Sequence, residues 1–148
     1  GSIELSVRRR GFTLIEALLA LALAGLMAFG TVHAARRLGP KLDLQAGAWG
    51  VSAGLAQARF RAIMSGAAVR VRFLPTGFVF ERFDAESASW RSARAVALPG
   101  VLIGANNAPI FHPGGTVSGL ASITVGNASG AYRITVAITG RIKAVRTR

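Results

Sequence analysis

The sequence has no cysteine and little acid, with six Asp and Glu set against eighteen Lys and Arg. Without cysteine there is no disulfide scaffold, no thiolate metal site and no cysteine nucleophile, and the chain suits any redox compartment. Its two histidines, His33 and His112, stand far apart, and no phosphate loop, dinucleotide fingerprint or metal-ligand spacing occurs. Proline is also scarce, and the first of the five is Pro40. What is abundant is arginine: only Lys41 and Lys143 are lysines, so the net charge of +12 is almost wholly guanidinium. Such charge is fixed at any physiological pH and suits paired contacts to phosphate or carboxylate. Acidic polymers, anionic lipid headgroups and acidic proteins are the natural counterparts.

The chain of 148 residues has room for one domain and an anchor. Between Phe12 and Ala35 the only ionisable side chains are Glu16 and His33. As a helix that stretch is about 36 Å long, enough to cross a hydrocarbon core of about 30 Å. It is predicted to be a transmembrane helix, and residues 1–11, ending in Arg8-Arg9-Arg10-Gly11, a basic leader. Arginines before a membrane helix favour the cytoplasm, which puts the rest of the chain in the periplasm or its equivalent. Arg36, Arg37 and Lys41 flank the far end, facing inner-membrane lipid headgroups, and Gly39-Pro40 is expected to break or kink the helix.

Residues 36–66 are read as a continuation of that helix. Trp49, Ala56, Phe60 and Ile63 fall on one face, with Leu44, Ala48, Val51, Leu55 and Ala62 beside them. Gly47, Gly50 and Gly54 weaken it intrinsically, so it must rely on packing. From residue 67 to 148 the period is two. Val69, Val71 and Phe73 alternate with Arg70 and Arg72, and Pro75-Thr76-Gly77 turns the chain into a strand carrying Phe78, Val79, Phe80 and Phe83. Asp84 to Ser92 reads as a polar connection. Short apolar runs follow at 95–98, 101–103, 110–111 and 122–125. A last strand places Ile134, Val136, Ile138 and Ile142 on one side and Arg133, Thr135, Thr139, Arg141 and Lys143 on the other. The expected fold is α+β: a long N-terminal transmembrane helix packed on a C-terminal antiparallel β domain.

A carboxylate four residues into a membrane helix is costly unless paired, which makes Glu16 a functional suspect. It can be solvated near the headgroups, or it can pair with a charge from another chain. A cut before Phe12 would create an ammonium about one helical turn from Glu16. The other way to read this segment is an ordinary secretory signal cut after Ala34 or Ala35, against which Glu16 inside the apolar run argues.

Gly11-Phe12-Thr13-Leu14-Ile15-Glu16 after a basic leader resembles the class III signal of type IV pilins and type II secretion pseudopilins. The resemblance implies that a prepilin peptidase cuts after Gly11 and methylates Phe12, and that Glu16 attracts the terminal ammonium of a neighbouring pilin or pseudopilin subunit during assembly. Gly54-Leu55-Ala56-Gln57-Ala58-Arg59 through Ala62-Ile63, then Gly66 and Val69-Arg70-Val71, is similar to the GspH/FimT branch of minor pseudopilins. Many major pilins carry a proline within the membrane segment; its absence here favours a minor component. No cofactor is implied.

Loss of the leader would remove Arg8, Arg9, Arg10 and Glu4, leaving +10. Arg133, Arg141 and Lys143, continued by Arg146 and Arg148 in a mobile tail, form a basic C-terminal group. They can be solvated edge charges that block aggregation, or they can bind DNA phosphates. FimT-like pilins that serve DNA uptake carry Gly-Arg-x-Arg; Gly140-Arg141-Ile142-Lys143 is similar, with lysine replacing the second arginine. The resemblance thus leaves two functions open: a minor pseudopilin of a type II secretion system, or a DNA-binding minor pilin. An enzyme is not expected. Gly50-Val51-Ser52-Ala53-Gly54, followed by Asp84 and His112, matches the hydrolase order, but it lies in mid-helix where no strand-to-helix elbow can form.

Overall fold

The computed structural model describes residues 13–148. It divides into two compact units, between Arg37 and Leu38. The leader, Gly11 and Phe12 lie outside the described residues.

Helix α1 runs Leu14–Ser65. Every residue from Leu14 to Arg37 is exposed, including ten large apolar side chains between Leu14 and Val32. A helix apolar on all sides needs a nonaqueous environment or other helices around it. By length and composition it is the one helix among the described residues able to cross a membrane.

The interruption expected at Gly39-Pro40 does not occur, because α1 continues through Pro40. Proline removes one N–H, a local loss. The Pro40 carbonyl meanwhile accepts from Asn127 Nδ2 at 2.6 Å and Ser129 Oγ at 3.3 Å, which ties this turn to the β domain. Beyond it α1 buries Leu44, Gly47, Ala48, Val51, Gly54, Leu55, Ala58 and Ala62. Leu44, Val51 and Leu55 are each worth about 1.5–3 kcal/mol in buried apolar area. The face led by Trp49, Ala56, Phe60 and Ile63 is instead the outer one, with Trp49 78% and Phe60 63% exposed. Both faces have helical periodicity, and packing chose the small one. The notches at Gly47, Gly50 and Gly54 receive Val101, Leu98 and Phe78.

Two antiparallel sheets cover that face. The strands are β1 (Val69–Leu74), β2 (Gly77–Asp84), β3 (Ser89–Ala97), β4 (Leu102–Ala105), β5 (Ile110–Phe111), β6 (Val117–Ser118), β7 (Ser122–Asn127), β8 (Gly130–Val136) and β9 (Ile142–Arg146). One sheet has the order β3-β2-β1-β5-β6 and the other β4-β7-β8-β9. Phe78, Phe80, Phe111, Ile123, Val125 and Ile134 meet the helix in a single core cluster. Phe78 and Phe80 make an edge-to-face pair with centroids 5.3 Å apart.

Two expectations for the β region change. The polar connection from Asp84 to Ser92 is a short turn, and its second part already belongs to β3. The supposed last strand is a hairpin: β8 ends at Val136 and β9 begins at Ile142. Gly140 makes the reversal with φ of 86°, a conformation that suits glycine. Ile138, read as inward, is therefore an exposed turn residue. The C-terminus is not a loose tail, since Thr147 N and Arg148 N donate to Ala131 O and Ala131 N donates to Arg148 O.

Candidate functional sites at the helix start and on the basic sheet

Thr13 caps the start of α1: its Oγ1 accepts from Glu16 N at 3.3 Å, and its carbonyl accepts from Ala17 N. Thr13-Leu14-Ile15-Glu16 also has capping-box spacing, a local role for Glu16 that the sequence showed but that periodicity alone did not bring out. Glu16 lies exposed in the first turn, and no cation among the described residues lies within ion-pairing distance of it. It is thus a single carboxylate in a wholly apolar turn.

Farther along, the outer face of α1 carries Leu42, Ala46, Trp49, Ala53, Ala56, Phe60 and Ile63, all exposed. Their alternate spacing by four and three is the one on which another helix can pack lengthwise.

The basic C-terminal group is divided by the hairpin. Arg133 lies opposite Val145 and Thr135 opposite Lys143, which puts Arg133 and Lys143 on the outer face of the four-stranded sheet with Ser122 and Thr124. Arg146 lies opposite Tyr132 on the other face, with its guanidinium 6.0 Å from the Tyr132 ring and its Nε donating to Arg148 O. Arg141 sits in the turn, where Ala137 N donates to its carbonyl. Arg59 of α1 holds this turn from beneath: its Nε donates to Gly115 O at 3.3 Å and is packed where a side chain on Gly140 would be. The chain carries no Asp or Glu after Glu86, and among the described residues no carboxylate pairs with these cations.

Arg70 and Arg72 are a different case. Arg70 makes a two-pronged contact to Glu81, with Nε–Oε1 at 3.2 Å and Nη2–Oε2 at 3.1 Å, and Arg72 Nε reaches Oε1 at 3.2 Å. Glu81 is 7% exposed while the Arg70 and Arg72 side chains keep contact with solvent, so a buried carboxylate is held by two half-exposed cations and the group leaves one net positive charge. The Arg70 guanidinium also lies 4.5 Å from the Trp90 ring centroid.

The hydrolase-like trio does not assemble. Asp84 accepts from Ser87 Oγ and Glu86 N and pairs with Arg91 at 2.9 Å, while His112 Nε2 is 2.7 Å from Ser118 Oγ. The donation from Ser87, then that from Glu86 N and the charge of Arg91, hold the Asp84 carboxyl below its ordinary pKa. Ser52 lies in mid-helix without either of them as a hydrogen-bond partner.

A long N-terminal helix, apolar in its first part and packed on antiparallel sheets in its second, is a pilin-like fold. The prokaryotic N-terminal methylation motif matches residues 7–32. Among solved structures, the minor pseudopilin EpsH from the type 2 secretion system of Vibrio cholerae is similar over 70% of this chain and 97% of its own, at 15% identity and a TM-score of 0.59. A second structure of EpsH from that organism matches at 14% identity over 71% of this chain and 94% of its own, with a TM-score of 0.60. The type IV minor pilin FimU of Pseudomonas aeruginosa is similar over 70% of this chain and 88% of its own, at 19% identity and a TM-score of 0.56. No curated protein matches the chain in sequence. The chain thus has a pilin-like fold and an N-terminal methylation motif, and that fold occurs in both the secretion and the pilus subunits it resembles.

Proposed function

We propose that this chain is a minor subunit of a type II secretion pseudopilus, held in the bacterial inner membrane by residues 12–35 with its β domain in the periplasm. Glu16 carries the reading: a carboxylate in an apolar turn with no ion-pair partner among the described residues, placed about one turn beyond the bond that the leader peptidase would cut. The new ammonium of Phe12 on an adjoining subunit supplies the missing counter-charge. Each subunit offers both groups, so the contact is heterologous and propagates as a filament. The exposed apolar seam from Leu42 to Ile63 gives such a neighbour a second, lengthwise contact. The likeness to EpsH supports the secretion pathway. Mass spectrometry of protein extracted from membranes is expected to find N-methyl-phenylalanine at Phe12 as the first residue. A first residue near Ala35 would mean an ordinary secreted domain and would end the filament reading.

A second reading has its own observation. Arg133 and Lys143 share an outer sheet face free of carboxylates, with Arg141 at its end, and this face suits DNA phosphates. On this reading, random duplex DNA binds with a log–log salt slope of about −3, one counterion per contact. Changing Arg133 and Lys143 together to alanine is expected to reduce that slope by about 2. Arg146→Ala, on the opposite face, leaves it nearly unchanged. If the low-salt affinity is the same with and without Arg133 and Lys143, this face does not bind DNA.

A further inference from the structure

A cleft of about 400 Å³ opens between the end of α1 and the strands β2 and β3. Phe60, Met64, Phe80 and Ala93 wall it, and Arg61 and Arg82 stand at its rim. Its volume lies in the range of ligand pockets, and its walls are mostly apolar. Glu81 also borders it, but its carboxylate is taken by Arg70 and Arg72. Arg61 lies 5.0 Å from the Phe80 ring centroid. Among the described residues no carboxylate pairs with Arg61, Arg82 or Arg94.

The cleft lies under an open sheet edge. β3 spans nine residues, pairs only with β2, and contains no proline. Leu98 N donates to Thr76 O at 2.9 Å, so by alternation the N–H groups of Ala95 and Ala97 face away from β2. The pairing steps from Phe80–Arg94 to Glu81–Ser92 and leaves Ala93 as the extra residue of a bulge, beside the cleft. Ala93, Ala95 and Ala97 set no bulk against an incoming strand.

Long bare edges invite strand addition, and basic side chains are a common guard. Here the guard is selective. Arg94 on the strand and Arg61 and Arg82 at the cleft repel a second copy of this chain, which carries +12, and attract a strand of opposite charge. Main-chain pairing with side-chain pockets is the usual form of strand addition.

We propose that the β3 edge and the cleft beside it form a docking groove for an extended acidic segment of a partner protein. The segment adds as a strand to β3, seats one large apolar side chain between Phe60, Met64 and Phe80, and places its carboxylates by Arg61, Arg82 and Arg94. This goes beyond the filament reading and does not depend on it, since neither Glu16 nor Phe12 takes part.

The test uses the full chain in nonionic detergent and a fluorescein-labelled peptide as long as β3, alternating valine and glutamate around a central phenylalanine. Fluorescence anisotropy is expected to show binding, with slowed amide exchange at Ala95 and Ala97. Ala95→Pro removes an outward N–H, and Ala93→Trp blocks the cleft from the bulge; each is expected to weaken binding at least about tenfold. The same peptide with lysine for glutamate is expected not to bind. No binding by the acidic peptide up to about 1 mM overturns the proposal, as does equal affinity for the lysine peptide. Unchanged affinity in Ala93→Trp, which leaves the β2 ladder intact, also overturns it. If dodecanoate protects the cleft while the peptide does not bind, the cleft is an amphiphile site and the proposal is lost.

Discussion

Membranes from cells expressing Glu16→Gln are expected to contain the protein at the parental level, while the amount cross-linked to other pilin-like subunits falls at least about tenfold, a loss of about 1.4 kcal/mol or more. The two outcomes separate because the substitution acts oppositely on insertion and on assembly. A carboxylate in an apolar helix opposes insertion, by about 2.5–3.5 kcal/mol at the bilayer centre and less near an end. Removing the charge therefore helps insertion, and a loss of assembly cannot be blamed on a protein that never reached the membrane. Assembly loses the attraction between carboxylate and ammonium, which is stronger where water is excluded than at a surface.

Glutamine also isolates the charge from the local role of Glu16. Thr13 Oγ1 accepts from Glu16 N, and a capping box works with either Glu or Gln at this position. Glu16→Gln thus keeps the helix start and removes only the charge. Parental cross-linking in Glu16→Gln, with a loss only in Glu16→Val, would show that Glu16 matters as a helix cap and would reject the pairing. A loss in both supports the pairing.

The feature that carries the proposed function was legible early because it is local. A lone carboxylate in an apolar run, four residues after Phe12, needs no tertiary information. The ion group at Glu81 was nearly as legible. A two-residue turn at Pro75-Thr76 sets Leu74 opposite Gly77, and the same register puts Arg70 opposite Glu81. The hairpin register itself therefore pairs the charge of Arg70. The basic C-terminal group could not be read so simply. Alternation alone runs straight from Arg133 to Lys143, and nothing in it announces that Gly140 turns the chain. Arg59, fifty-six residues before the Gly115 carbonyl it holds, packs against that turn from a distant part of the chain. The open edge at β3 was hidden for a similar reason: Asp84 to Ser92 is polar enough to read as a loop, yet Trp90 lies opposite Phe83 and the strand has already begun. Helical periodicity marks an apolar side that holds both the buried Leu44, Val51 and Leu55 and the exposed Trp49 and Phe60, and it does not say which part is covered. Trp49 and Phe60 look like core residues by composition, but the sheets supply the bulk here and the helix supplies the space.

That division of bulk makes Gly54→Ala a sensitive test of how the helix and the β domain fit. In an exposed helix the substitution would stabilise by about 1 kcal/mol, since glycine is a poor helix former. At Gly54 a Cβ would overlap Cζ of Phe78 and lie 2.7 Å from its Cε2. The Phe78 ring has little room to retreat: it is 2% exposed, and Phe80 and Phe73 stand 5.3 Å and 6.0 Å away between centroids. Overpacking of this kind costs about 1–3 kcal/mol and sometimes more. A rigid ring boxed on two sides belongs at the upper end, so a net loss of about 2 kcal/mol is expected, or a fall of about 8–16 °C in the melting temperature of a domain this size. Gly39→Ala is the matched control. It lies in the same helix and meets no tertiary neighbour within 4 Å of the added carbon; the propensity gain is opposed by Pro40, which disfavours a Cβ on the helical residue before it, so the melting temperature should stay near the parental value. Equal melting temperatures for the two variants would mean that Phe78 does not occupy the Gly54 notch. The helix would then meet the sheet by some other set of contacts.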